Sequence, residues 1–325
     1  MNANPKTQTT NFEWNGHPAV QLENGLLRAV LLPEAGGKMV SLSRMDTGLE
    51  HLLPSQLPAG GYVQPSYGAP FEHDDTSGFD ECFPTVAACD WTDRAWGTTT
   101  RLPDHGELWS VPWDCHVDRG TLTLCAAGRA FPYTFRKRLS LVGNRLRIDY
   151  ELSNQGPAPI PYLWSAHPLL QVEEGDRLLL PSGVRKVTVA WSRAERLGPP
   201  GTTLGWPGTA TSLGLQNLCT VLDGSTGWAD KLFSERLDEG WCGRLNCRTG
   251  EALLFHWDVS FAPYVGLWLC YGGWPAGRPG HHTVALEPCT GWPDSLAEAA
   301  TRGCARHLGG SAAVHWHLEL ELTRR

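Results

Sequence analysis

The sequence predicts an all-β protein, a large antiparallel β-sandwich with few short helices. Three observations carry that reading. Apolar and polar residues alternate with a period of two in the clearest segments, short turn signals separate those segments, and only one stretch has helical patterning.

The elements follow in chain order. VQLENGLLRAVLLP places two apolar runs around Asn24-Gly25, a hairpin signal of the two-residue type in which both central residues take positive φ. RKRLSLVGNRLRIDYELSN repeats the device at Gly143-Asn144. Beyond that turn Leu146, Ile148, Tyr150 and Leu152 alternate with Arg147, Asp149 and Glu151, as in a half-buried strand. DSLAEAATRGCARHL is the helix candidate, with Asp294 as its N-cap and Pro293 before it. In the last segment, VHWHLELELT, Val314, Trp316, Leu318, Leu320 and Leu322 share one face, and His315, His317, Glu319 and Glu321 share the other. That second face reads as the solvated side of an edge strand rather than a metal pair at His315 and His317. No linker, low-complexity tract or internal repeat interrupts the pattern, so residues 1–325 read as a single domain.

Composition narrows the function classes. With 19% charged and 41% hydrophobic residues, the 325-residue chain has a globular balance and can bury a large core. The net charge is -7 and no basic run of five or more appears, which argues against nucleic acid or an anionic membrane as partner. No apolar run approaches the ~18 residues of a membrane span. The polar opening MNANPKTQTTNFEWNG has no secretory apolar region, so the expected location is the cytoplasm. The ten Cys form no C-x-x-C pair, and four residues separate Cys242 from Cys247, so neither a structural metal nor a disulfide is expected. The Cys read instead as buried, reduced apolar residues. Fifteen Trp supply either an aromatic core or flat apolar faces suited to the C–H faces of a sugar ring.

Four segments carry candidate chemistry. LPDHGELWSVPWD holds His105 and Trp109, PIPYLWSAHPLL holds Trp164 and His167, VALEPCTGWPDSL holds Glu287, and SGFDECFPTV holds Asp80 and Glu81. A histidine beside a proline, like His167, is often a satisfied structural residue. Glu287 is more pointed. It follows Val284, Ala285 and Leu286, and a carboxylate at the end of a buried-looking strand is costly unless paired or used. Pro288 biases it toward an extended conformation. Taken alone, these residues define a candidate acid or base and no more.

The chain resembles the aldose 1-epimerase, or galactose mutarotase-like, family over nearly its whole length. The resemblance runs from LLPEAGGKMVSLSRMDTGLEHLL through DHGELW and FPYTFRKRLSLVGNRLRIDYELSNQGPAPIPYLWSAHPLL. It ends with FAPYVGLWLCYGGW and VALEPCTGWPDSL. It implies a large antiparallel sandwich, no cofactor, and interconversion of the α and β anomers of a free monosaccharide by a monomer or homodimer. It implies His167 as general acid, Glu287 as general base, and His105 as a second histidine on the sugar oxygens. Asp80, Glu81, Trp109 and Trp164 join as candidate substrate-binding residues. The chain departs from the family's pattern around the acid histidine, at its sugar-binding Arg, whose stretch is occupied by Asp80 and Glu81, and at its sugar-binding Asp, for which Asp230 is the candidate.

Mutarotation needs only a base for the C1 hydroxyl proton and an acid for the ring oxygen, each contributing about 10²–10⁴-fold. One on each side of the anomeric centre is the expected arrangement, with His167 protonated near neutral pH. Two other classes stay open. A glycoside hydrolase needs two carboxylates about 5–10 Å apart, for example Asp80 or Glu81 with Glu287. A sugar-binding protein needs neither acid nor base.

Overall fold

The structure is a computed structural model that describes residues 7–57, 60–74, 76–93, 98–211, 214–277 and 279–324. Two antiparallel sheets hold most of the strands. In spatial order, the eleven-stranded sheet runs Gln8–Trp14, His17–Glu23, Leu27–Leu32, Lys38–Arg44, Phe79–Cys82, Ser165–Gln171, His282–Cys289, Tyr264–Tyr271, Trp228–Ser234, Lys186–Ser192 and Thr203–Gly205. The eight-stranded sheet runs Arg177–Leu179, Trp241–Leu245, Glu251–Trp257, Ala313–Arg324, Arg145–Asn154, Tyr133–Val142, Thr121–Ala127 and Asp114–Asp118. One apolar core joins their facing sides, with Leu31, Leu42, Ala166 and Leu286 from the first sheet against Phe135, Ile148, Leu253 and Leu320 from the second. The predicted all-β sandwich is the observed architecture.

Alternation decides which residues reach the other side of the large sheet. Val284 and Leu286 point into the inter-sheet core, so Ala285 and Glu287 point outward. Ala166 and Leu170 face the core, so His167 and Leu169 face outward with them. On Trp228–Ser234, Leu232 is a core residue, which sends Lys231 outward and Asp230 inward. A register shift between Val189 and Trp191 brings both Ala190 and Trp191 to the outer face. That outer face is the floor of the cavity described below.

Several local expectations change. The Gly143-Asn144 turn is a two-residue hairpin, Val142 pairing with Arg145. At Asn24-Gly25 the last pair is Glu23 with Arg28, so the connection is longer. Asn24 Oδ1 accepts from the Leu26 and Leu27 N–H groups at 3.1 and 3.0 Å, an Asx-type turn in which Gly25 has the positive φ. Ala313–Arg324 alternates as expected but lies in the middle of its sheet, between Glu251–Trp257 and Arg145–Asn154, and not at an edge. Its polar face is a cross-strand charge ladder: Arg145 reaches Glu319 and Glu321 at 2.9 Å each, and Arg147 reaches Glu319 at 2.8 Å. The helix covers only Leu296–Thr301, capped by Ser295 rather than Asp294, because Arg302 closes it and Gly303 turns left-handed at φ 69°. Of the Cys, 115 and 247 are exposed, contrary to uniform burial.

Candidate active site

On the outer face of the large sheet lies a cavity of about 550 Å³. His167 and Glu287 stand on adjacent antiparallel strands at its floor, with His167 Nε2 3.9 Å from Glu287 Oε1. Both side chains are buried, and among the described residues neither Glu287 Oε1 nor His167 Nδ1 has a hydrogen-bond partner. Unsatisfied buried polar atoms are expensive, so their convergence on a cavity marks a place where a ligand supplies the missing bonds.

His105 completes the polar corner. Its backbone is left-handed at φ 56°, and Gly106 follows at φ 74°, where a Cβ would lie 2.2 Å from the Phe83 carbonyl oxygen. The loop is anchored by Glu107, which accepts from the Tyr67 and Tyr133 hydroxyls and from the Arg129 and Ala130 N–H groups at 2.6–3.0 Å. Asp104 Oδ1 lies 3.0 Å from His105 Nδ1, and Asp104 Oδ2 accepts from the Phe71 N–H at 2.9 Å. Burial works against the Asp104 charge, but the His105 contact and the backbone donors hold its carboxyl below the usual range. Phe71 stacks on His105 with ring centroids 4.0 Å apart and meets His167 edge-on at 5.3 Å. Trp191, Trp268 and Trp274 also line the cavity, with Trp191 half-exposed.

Two residues that the sequence did not assign to the site, Lys231 and Asp294, join its lining. Lys231 Nζ donates to Glu287 Oε2 and lies 3.6 Å from Asp294 Oδ1. Burial alone would lower the Lys231 ammonium, but Asp294 and Glu287 outweigh it and keep it charged. For Glu287 the largest influence is burial, which raises its carboxyl, with Lys231 pulling the other way. Burial also pushes His167 well below the ordinary histidine value, with the charges of His105, Lys231 and Lys38 adding to it. Burial thus favours the neutral imidazole at His167, against the protonated form that the sequence led one to expect. A signal for Lys231 was present in the sequence: in WADKLFS the alternation puts Lys231 and Asp230 on opposite faces, and a lysine inside an apolar strand needs a partner.

His105, His167 and Glu287 thus share one cavity. Trp109 stands behind it, donating Nε1 to the Asp104 carbonyl at 2.8 Å and meeting Phe71 edge-on. Asp80 pairs in register with His167 and shares its face of the sheet, with Lys38 Nζ 2.6 Å from its carboxylate. Glu81 and Trp164 face the inter-sheet core, so their expected substrate contact gives way to a structural one. Glu81 accepts from Trp164 Nε1 at 3.0 Å, Tyr150 at 2.9 Å and Lys137 at 3.4 Å. The physical reason is alternation: Asp80 and Glu81 are consecutive on a strand and cannot serve the same face. Asp230 also faces inward, bound by Ser192 at 2.6 Å and by the Arg196 guanidinium.

Solved structures share this architecture. A galactose mutarotase-like protein from Lactobacillus casei superposes with a TM-score of 0.69 at 16% identity, covering 94% of this chain and 100% of its own. The chain has the galactose mutarotase-like fold. A galactose mutarotase-like protein from Clostridium acetobutylicum gives 0.69 at 14% identity over 99% and 100% of the two chains. A galactose mutarotase related enzyme from Lactobacillus acidophilus gives 0.67 at 15% identity over 94% and 97%. No family model matches the chain, and no curated protein matches it. Identities this low speak for the fold, and the reading of the site rests on its own geometry.

Proposed function

We propose that this protein is an aldose 1-epimerase-type mutarotase that interconverts the α and β anomers of a free, uncharged sugar. The observation that carries the reading is Glu287 Oε1, without a hydrogen-bond partner among the described residues, 3.9 Å from His167 Nε2 in an aromatic-walled cavity. The two oxygens of a hemiacetal share one carbon. Groups that serve them can therefore stand close together, and a 3.9 Å separation suits that geometry.

The working form of the pair carries one proton. As the C1 hydroxyl proton passes to Glu287, the pair's own proton passes from His167 to the ring oxygen, and the C1–O5 bond breaks. The open aldehyde turns about C1–C2, and the same transfers in reverse close the ring on the other face. Protons and electrons balance without a cofactor, metal or nucleophile. His105, oriented by Asp104, is placed to hold the sugar oxygens, and the Trp191 and Trp268 faces are placed against C–H surfaces. The cavity's described lining contains no Arg, and Lys231 is already engaged by Glu287 and Asp294, which favours an uncharged sugar over a sugar phosphate. We place this activity in the cytoplasm, in a single domain spanning residues 1–325, as a monomer or homodimer.

The test is polarimetry on pure α-D-glucose and α-D-galactose, with an aryl glycoside alongside. The expected result is fast equilibration of a free anomer and no glycoside cleavage, insensitive to a chelator and to a reductant. Cleavage would make it a hydrolase, and binding without equilibration a sugar-binding protein. A clear preference for a hexose 6-phosphate would overturn the uncharged substrate.

A further inference from the structure

We propose that Lys231 is a positioning residue for the Glu287 base: reaching across an intervening strand, it holds Oε2 and leaves Oε1 as the one oxygen presented to the anomeric hydroxyl. The inference rests on the mutarotase reading above and assigns a role that neither the motifs nor the resemblance supplied.

Geometry makes the case. Lys231 is on Trp228–Ser234 and Glu287 is on His282–Cys289, with Tyr264–Tyr271 between them. Lys231 pairs in register with Trp268, whereas Glu287 pairs with Gly266. A direct contact between the outer strands must pass over the middle one, and Gly266 is where it can. A Cβ at 266 would lie 2.8 Å from Glu287 Oε2 and 3.3 Å from its Cβ, so any side chain there displaces the carboxylate. The missing side chain opens the path that Lys231 uses.

Asp294 is the counterweight. Its carbonyl accepts from the Val86 and Ala87 N–H groups at 2.9 Å each and from Thr85 Oγ1 at 3.2 Å, which fixes the backbone just ahead of the Ser295 cap. From there its carboxylate stands 3.6 Å from Lys231 Nζ. The groups around Glu287 are then His167 and His105, Lys231, Asp294, the Cys289 thiol on its own strand, Cys82 and Asp80 on Phe79–Cys82, and Lys38 on the strand beyond. Burial pushes both thiols upward, so they stay neutral. Among the described residues Lys231 is the one cation bonded to the base, and Asp294 is a carboxylate opposing it.

The signs follow. An opposite charge in contact favours the ionised carboxylate, so losing Lys231 makes Glu287 easier to protonate, and losing the Asp294 charge makes it harder. The experiment compares Lys231→Met, Lys231→Arg and Asp294→Asn. It records pH profiles of kcat/KM on α-D-glucose and α-D-galactose, with an infrared titration of the labelled Glu carboxylates in the same proteins. In Lys231→Met the limbs of the pH profile and the Glu287 carboxylate titration move upward together by about 1–3 pH units. Lys231→Arg restores them toward the wild type, and Asp294→Asn moves them downward. Unmoved limbs and titration in Lys231→Met, whatever its melting temperature, would reduce Lys231 to a structural ion pair and overturn the proposal. Should Lys231→Met fail to fold, the downward movement in Asp294→Asn decides in its place. If the wild type turns over neither sugar, the mutarotase reading fails, while the infrared titration still judges Lys231.

Discussion

Glu287 and Glu81 are both fully buried carboxylates paired with a buried lysine, on strands of the same sheet, yet their surroundings differ. Glu81 faces the inter-sheet core, where Lys137, Tyr150 and Trp164 satisfy both oxygens. Glu287 faces the cavity, where Lys231 takes Oε2 and no described residue takes Oε1. Burial raises the carboxyl of each, and a lysine pulls against it in each. Burial and pairing therefore do not distinguish a structural acid from a functional one. The distinguishing feature is an unsatisfied oxygen aimed into a cavity.

The largest expected effect would break this comparison if it appeared at the wrong residue. Glu287→Gln should lower turnover by about 10²–10⁴-fold with sugar affinity kept. Glu81→Ala should instead destabilise the fold by about 3–5 kcal/mol, because it strands Lys137, and leave turnover per folded molecule unchanged. Melting temperature, sugar affinity and anomer exchange measured on the same preparations separate the two. A destabilised Glu287→Gln with unimpaired turnover would remove Glu287 from the mechanism and weaken the role of His167.

His167→Asn sharpens the comparison from the partner's side. It keeps a polar side chain but cannot move the proton, so turnover should fall by about 10²-fold or more with the fold intact.

The pH profile comes next. Glu287 is raised and His167 is lowered, so the single proton is shared by the pair, and the limbs belong to the pair rather than to either residue. Activity should be lost toward low pH as a second proton is bound and toward high pH as the working proton leaves. Loss of the bell in His167→Asn would confirm the sharing. An unchanged bell would place the proton elsewhere.

The smallest effect lies at Trp191. Trp191→Ala should raise KM by about 2–10-fold, or ~0.5–1.5 kcal/mol, at unchanged kcat, since the Trp191 face serves binding and touches no reacting atom. A fall in kcat instead would assign Trp191 to the chemistry.

The period-two patterns around Leu146–Leu152 and Val314–Leu322 declared strands, and Gly143-Asn144 declared a hairpin, because side-chain alternation and turn backbone are local properties. His105, His167 and Glu287 were legible as candidates for the same kind of reason: each sits in a short segment that matches a family pattern. What lies far apart in sequence was not legible. Alternation allows two faces for any strand, and only the packing of the second sheet decided that Glu81 and Asp230 turn inward while Lys231 and Glu287 turn out. The position of Ala313–Arg324 at the centre of its sheet depends on which strands flank it, and no property of its own residues states that. Asp294 resembled a helix cap locally and became a partner of Lys231, because Ser295 took the cap and the fold carried the Asp294 side chain to a strand some sixty residues earlier in the chain. By itself the sequence determined the strands and the chemical groups available. The tertiary structure decided which groups meet, because contacts between distant segments are set by sheet order and packing, and a lysine can cross a strand only where a glycine leaves the way open.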